Sequence, residues 1–119
     1  MHPHLETLLE IQDLTTQRRD LAEAGADRDV QESVFGLSVE EALGQIDEKI
    51  KEMAESLPPQ VRNRYQRLST RNPRFVVSVI RGTCYGCFVQ VPTALASDAD
   101  RNEEIRSCQN CGRFLYLID

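Results

Sequence analysis

Cys84-Tyr85-Gly86-Cys87 and Cys108-Gln109-Asn110-Cys111 are two Cys-x-x-Cys pairs separated by twenty residues, and together they use every cysteine in the chain. A Cys-x-x-Cys turn delivers two sulfurs to one side of an ion. Two such turns complete a tetrahedron of soft ligands at roughly 2.3 Å, which is the shell that zinc requires. These residues therefore point to one structural zinc ion per chain, with Cys84, Cys87, Cys108 and Cys111 as its ligands and no coordination position left for a substrate. The spacing is close to that of paired Cys-x-x-Cys zinc sites and slightly longer in the middle.

Other uses of four thiols fit the rest of the chain less well. Two disulfides suit a secreted protein, but Met1-His2-Pro3-His4-Leu5-Glu6 shows no basic region followed by an apolar stretch; the expected compartment is a reducing cytoplasm. A thioredoxin-like pair would sit beside a βαβ pattern, which the sequence lacks, and iron–sulfur clusters usually take other spacings.

The chain has 119 residues, 40% hydrophobic and 28% charged, as in a folded soluble protein. No stretch approaches a membrane span. Aromatics are 6% of the chain and there is no Trp, so a small metal-stapled module beside a helical element fits better than one large core. The two halves differ in charge. Residues 1–60 carry five Lys and Arg against fourteen Asp and Glu, whereas residues 61–119 carry nine against five. Four thiolates around one divalent ion add −2 to the second half, so its basic excess is modest.

Leu8, Ile11, Leu14, Leu21 and Ala22 share a broad face and predict a helix over Leu5 to about Ala24, with Arg18 interrupting the stripe. Gly25 breaks it, and residues 25–37 read as a polar connection, a tip or a binding loop whose role the sequence does not assign. Ser38-Val39-Glu40-Glu41 is a capping box. Beyond it Val39, Leu43, Ile46, Ile50, Met53 and Leu57 recur in a narrow heptad seam. Such a seam wants a partner helix: the first helix folded back as an antiparallel hairpin, or a second copy in a homodimer through the coiled coil.

Pro58-Pro59 ends that helix and starts another, which Asn72-Pro73 stops. Within it Val61, Tyr65 and Leu68 line one face, and Arg62, Arg64, Arg67 and Arg71 occupy the others. This arginine cluster is the candidate partner-binding surface, for phosphates or an acidic protein face; the plainer alternative is a solvated helix paired with the acidic hairpin. Phe75–Ile80 and Phe88–Val91 read as strands flanking the first metal turn. Glu104–Arg106 and Phe114–Ile118 flank the second, giving two β-hairpins pinched by one ion. Gly86 and Gly112 sit where the turns are expected to need positive φ, and Arg81, Arg106 and Arg113 are close enough in sequence to screen the site. His2 and His4 read as a frayed terminus. No catalytic constellation assembles, so an enzyme is not expected.

The expected fold class is α+β: an acidic helical coiled-coil hairpin (1–57), a basic connecting helix (58–73) and a small antiparallel β ribbon (74–119). Leu57-Pro58-Pro59 before a basic helix, Val79-Ile80-Arg81-Gly82-Thr83 into the first cysteine pair, and Glu104-Ile105 through Cys108-Gln109-Asn110-Cys111-Gly112-Arg113-Phe114-Leu115-Tyr116 together resemble the bacterial C4-type zinc ribbon family with an amino-terminal coiled coil. The resemblance covers about residues 57–119; residues 1–56 match in style, as a shortened acidic hairpin. It implies a non-catalytic adaptor. Members are described as predicted nucleic-acid-binding proteins, and some act in flagellar or type III secretion systems, contacting the enhancer-dependent sigma factor, export-apparatus components or messenger RNA. The expectation is thus a cytoplasmic adaptor that docks on a protein of the transcription or export machinery, with direct RNA or DNA binding through the same basic face as the alternative.

Overall fold

The computed structural model describes residues 1–24, 39–92 and 102–118. Among these, three helices precede a small sheet: α1 (Pro3–Ala24), α2 (Val39–Glu55), α3 (Pro59–Arg71), then β1 (Val76–Ile80), β2 (Thr83–Cys84), β3 (Arg106–Ser107) and β4 (Phe114–Leu117). The expected capping serine, Ser38, and the connection at 25–37 lie outside the described residues.

α1 and α2 pack side by side and antiparallel. Leu8 and Ile11 of α1 share a cluster with Ala54 of α2 and with Leu57, while farther along Arg18 forks onto the Asp47 carboxylate. That ion pair explains the interrupted stripe: the arginine answers a carboxylate on the facing helix. Burial is concentrated where the pair meets the sheet, with Leu5, Leu8, Ile11 and Leu57 almost fully enclosed, and Leu14 and Leu21 only half-buried.

α3 starts at Pro59, where a missing amide costs no helical bond. It stops at Asn72, whose N–H returns to the Leu68 carbonyl and whose side chain accepts from the Arg74 amide at 2.8 Å. Tyr65 sits edge-on to Phe75, ring centroids 5.0 Å apart, and ties α3 to the sheet.

The strand order is β2-β1-β4-β3. Pairing is antiparallel within each hairpin, β1 with β2 and β3 with β4, but β1 and β4 are parallel, with Val77 opposite Leu115 and Val79 opposite Leu117. The sheet is therefore mixed, not purely antiparallel. A parallel pair needs a long crossover, and the chain from 81 to 113, which contains both cysteine pairs, supplies it. Arg81 and Gly82 join β1 to β2 with φ of 52° and 77°, the left-handed pair of a two-residue hairpin. The expected strand over Phe88–Val91 is reduced to a single bridge, Thr83 with Gln90, because Phe88 has φ 61° and cannot continue an extended run.

Alternation along the two central strands divides the interior. Val76 and Phe114 face the helices with Leu5, Leu8, Ile11 and Tyr65, whereas Val77, Val79, Leu115 and Leu117 face the other way, onto Cys84, Cys108 and Val91. This is the period of two expected of strands buried on both faces. The sheet is a partition with an apolar helical core on one side and a cysteine-containing core on the other.

Two side chains extend the partition. Gln12 of α1 accepts from the Val76 amide at 2.7 Å, and Asn102 exchanges two 2.8 Å hydrogen bonds with the Leu117 backbone, taking the place of a strand neighbour beyond the end of β3. The amino terminus is also held, contrary to the expected fraying: the Met1 ammonium meets Glu103 at 2.9 Å and His2 N–H donates to the Asn102 carbonyl at 2.6 Å.

Candidate metal centre

The two cysteine turns are built alike. In the first, Cys84 N–H donates to Val89 C=O at 3.0 Å and Phe88 N–H to Cys84 C=O at 2.6 Å. In the second, Cys108 N–H donates to Arg113 C=O and Gly112 N–H to Cys108 C=O, both at 2.9 Å. Further amides point at sulfur: those of Cys87 and Gly86 at Cys84, that of Val89 at Cys87, and that of Arg113 at Cys111. Each turn thus presents partial positive charge where thiolate charge must be stabilised.

In this matched geometry, the residue after the second cysteine is left-handed in both turns: Gly112 with φ 77° and Phe88 with φ 61°. Gly112 meets the expectation. Gly86 does not; its φ lies outside the left-handed region, and what it supplies is space. A Cβ there would stand 2.7 Å from Arg113 Nη1 and 3.1 Å from Val77 Cγ1. Gly86 is the gap through which Arg113, from the second turn, lies across the first.

The four thiols converge. Their sulfurs all lie within 4.8 Å of one another, with Cys84 to Cys111 at 3.8 Å and Cys87 to Cys108 at 3.7 Å. A disulfide needs about 2.05 Å, so these are free thiols. A tetrahedron with metal–sulfur bonds of roughly 2.3 Å has sulfur–sulfur edges of roughly 3.8 Å, and the two cross-turn separations match it. The donor set, its convergence and the amides behind it all fit zinc. Among the described residues no other group of His, Cys, Asp or Glu converges this way.

The thiols are electrostatically unequal. Burial pushes the Cys84 thiol up to about 12, against the amides of Cys87 and Gly86, which favour its thiolate. Burial also raises Cys111. Cys87 is lowered to about 6, first by the Asn110 side chain and then by the Val89 amide. Asn110 belongs to the second turn and serves a sulfur of the first. No local spacing signals that, because the contact exists only once the two turns meet.

Of the arginines expected near the metal, Arg113 crosses the first turn as described, Arg106 lies 3.4 Å from Glu104, and Arg81 is exposed. The arginines beside the second turn come instead from α3. Arg64, Arg67 and Arg71, with Leu68, form one wall of a cleft of about 460 Å³ whose other wall is Ser107, Cys108, Gln109, Cys111 and Gly112. Arg64 donates to the Ser107 hydroxyl. Arg62 is partly buried and does not line the cleft. The alternative that these arginines pair with the acidic hairpin is not realised: among the described residues no carboxylate lies within ion-pair distance of Arg62, Arg64, Arg67 or Arg71.

Residues 83–115 match the family model of the C4-type zinc ribbon domain. The matched span contains both turns, β2, β3 and the start of β4, so the ribbon, the convergent thiols and a structural zinc ion form one consistent account. No curated protein matches the chain in sequence. Among solved structures, the HP0958 protein from Helicobacter pylori CCUG 17874 is similar in fold, with a TM-score of 0.57 and 23% identity. The alignment covers 76% of this chain and 38% of that one, so this chain spans well under half of that protein's length. No helix among the described residues is long and apolar enough to cross a membrane.

Proposed function

We propose that this protein is a non-catalytic zinc-ribbon adaptor. Cys84, Cys87, Cys108 and Cys111 hold one zinc ion that fixes the ribbon, residues 58–73 present Arg64, Arg67 and Arg71 of the four-arginine cluster to a protein partner, with Arg62 outside the contact, and residues 1–57 form an acidic helical arm beside the ribbon at 74–119. A closed four-sulfur shell offers the metal no substrate position, which is why the zinc is assigned to structure and not to chemistry. The observation that carries the reading is the open arginine wall: three guanidinium groups line one cleft with no carboxylate partner among the described residues. Arginines held in that state on a metal-fixed frame suit recognition of an acidic surface. By the resemblance noted from sequence, the partner belongs to the transcription or flagellar/type III export machinery of the cytoplasm.

A second reading, direct binding of RNA or DNA through the basic face, draws on a different observation. Tyr85 and Phe88 of the first turn are 45% and 70% exposed, with ring centroids 5.5 Å apart, and exposed rings near basic side chains can stack bases. Affinity capture from native lysate, with and without nuclease, separates the two. The adaptor reading expects a protein retained after nuclease and lost with a chain in which Arg64, Arg67 and Arg71 are reversed to Glu. Retention only through nucleic acid would replace it with the second reading.

A further inference from the structure

The arginine cleft continues beyond the second turn. A smaller hollow of about 100 Å³ shares Leu68, Arg71 and Cys111 with it and adds Arg74 and Arg113. Arg64, Arg67, Arg71, Arg74 and Arg113 therefore border two adjoining hollows that together make a groove, and among the described residues no acidic side chain lines either part of it. Arg64, Arg67 and Arg71 follow at three and four residues, which puts them on one face of α3, and the span from first to last is roughly 10 Å. The second turn, rigid once metal is bound, forms the opposite wall.

From these observations we infer that the groove between α3 and the second cysteine turn is the docking site for a short acidic peptide segment of a protein partner, with carboxylates on the arginines and an apolar side chain over Leu68. The inference rests on the adaptor reading above and names the chemistry of what that adaptor holds. Charge complementarity selects the occupant's sign, and three features select a peptide over a polynucleotide. Between its arginines the groove has an apolar side chain in Leu68, suited to side-chain methylenes. Exposed rings that could stack bases, Tyr85 and Phe88, belong to the other turn and do not line it. A metal-loaded centre of net charge −2 lies behind one wall, and residues 1–60 carry a strong acidic excess; both repel a long polyanion far more than a segment bearing a few carboxylates. Arg62 lies outside the groove, so the four-arginine cluster divides into three that bind and one that does not.

The test is fluorescence anisotropy on the full zinc-loaded chain, with a labelled Glu-rich peptide carrying interspersed Leu as the probe. Expected is salt-sensitive binding that Arg67→Glu with Arg71→Glu weakens about tenfold or more, the loss of a charge-assisted pair. Arg62→Glu, the same charge change on the same helix, should leave affinity within about twofold, at the level of general surface charge. Zinc content and far-ultraviolet circular dichroism establish that each variant is folded. As a reversal, the Arg67→Glu, Arg71→Glu chain should bind a Lys-rich peptide that the wild type rejects. Equal weakening by Arg62→Glu, no peptide binding, or displacement of the peptide by single-stranded polyuridylate at lower concentration would each overturn the inference. The two readings fail separately: a protein captured after nuclease and lost on reversal of Arg64, Arg67 and Arg71, with no binding of the acidic peptide, leaves the adaptor standing and removes the peptide groove, whereas capture of no protein removes the adaptor.

Discussion

The two cysteine turns share a hydrogen-bond pattern and a metal, yet they are filled differently. The second follows the economical solution, with Gly112 at the left-handed position and open space around it. The first puts Phe88 at the corresponding position, left-handed and exposed, its ring leaning on Tyr85. A bulky residue there costs roughly 1–2 kcal/mol of backbone strain. Among the described residues only the contact with Tyr85 offsets that cost, by a few tenths of a kcal/mol, since the ring is not buried. The second turn, for its part, is the one flanked by the arginine groove. One turn carries an aromatic surface and the other borders a basic one, so a symmetrical metal site supports an asymmetrical exterior.

The largest perturbation is one that removes both turns together. Cys108→Ser, or chelation, should release zinc and with it a contribution on the order of 10 kcal/mol to the ordering of the ribbon. Hydrogen exchange should then accelerate at Val77, Val79, Leu115 and Leu117, whose side chains face the thiols, while amides in α1 and α2 keep most of their protection through Leu5, Leu8, Ile11, Ala54 and Leu57. Phe75, Val76 and Phe114 belong to the helical cluster, so they mark the boundary. Equal loss of protection in α1 and the ribbon would show that the sheet is not a partition but one cooperative body with the helices.

The two glycines come next. Gly112→Ala should cost about 1–2 kcal/mol through its positive φ alone. Gly86→Ala should cost about 1 kcal/mol for a different reason: the new Cβ stands 3.1 Å from both buried Val77 Cγ1 and Arg113 Cδ, and only the guanidinium end of Arg113 can swing aside freely. Adding Arg113→Ala distinguishes them: thermal melting of the zinc-loaded protein should show partial relief of the Gly86 variant and none for Gly112→Ala. Phe88→Gly has the opposite sign. It should raise stability by about 1 kcal/mol, less a few tenths for the lost contact with Tyr85. A drop in melting temperature would mean that the Tyr85–Phe88 contact supports the turn.

This contrast was only partly visible in the residues. The cysteine spacing announced the metal, and Pro58-Pro59 and Asn72-Pro73 bracketed α3 within a residue, because these signals are local. The seam on α2 was legible, and so was its need for a partner; that α1 supplies the partner follows from Arg18 meeting Asp47, a contact between positions 29 residues apart. Parallel pairing of β1 with β4 was not legible, since it depends on where the crossover returns and no short-range pattern encodes that. Gln12, Asn102 and Asn110 escaped for the same reason: each is an ordinary polar residue until a distant backbone or sulfur arrives. Phe88 is hidden for the opposite reason. Glycine signals a left-handed position reliably only when glycine occupies it, and here the nearby Gly86 drew the assignment to itself while serving as clearance for Arg113.

The thiols sharpen the comparison where stability does not change at all. Wherever the two turns stay together after zinc is removed, Cys87 is lowered to about 6 by Asn110, whereas burial pushes Cys84 up to about 12. At pH 7 Cys87 is then mostly thiolate, the nucleophilic form, and Cys84 is a thiol. Iodoacetamide should therefore modify Cys87 first, as read by peptide mass. That rate should fall as the pH drops through about 6, where the sulfur takes a proton, and should hardly change between pH 7 and pH 9. Asn110→Ala should raise the Cys87 value toward the ordinary thiol range and move the fall to higher pH. Zinc should protect all four cysteines. Equal reactivity of the four without metal, following the pH profile of an ordinary thiol, would mean that the two turns meet only when the ion joins them, because Asn110 reaches Cys87 only across that junction.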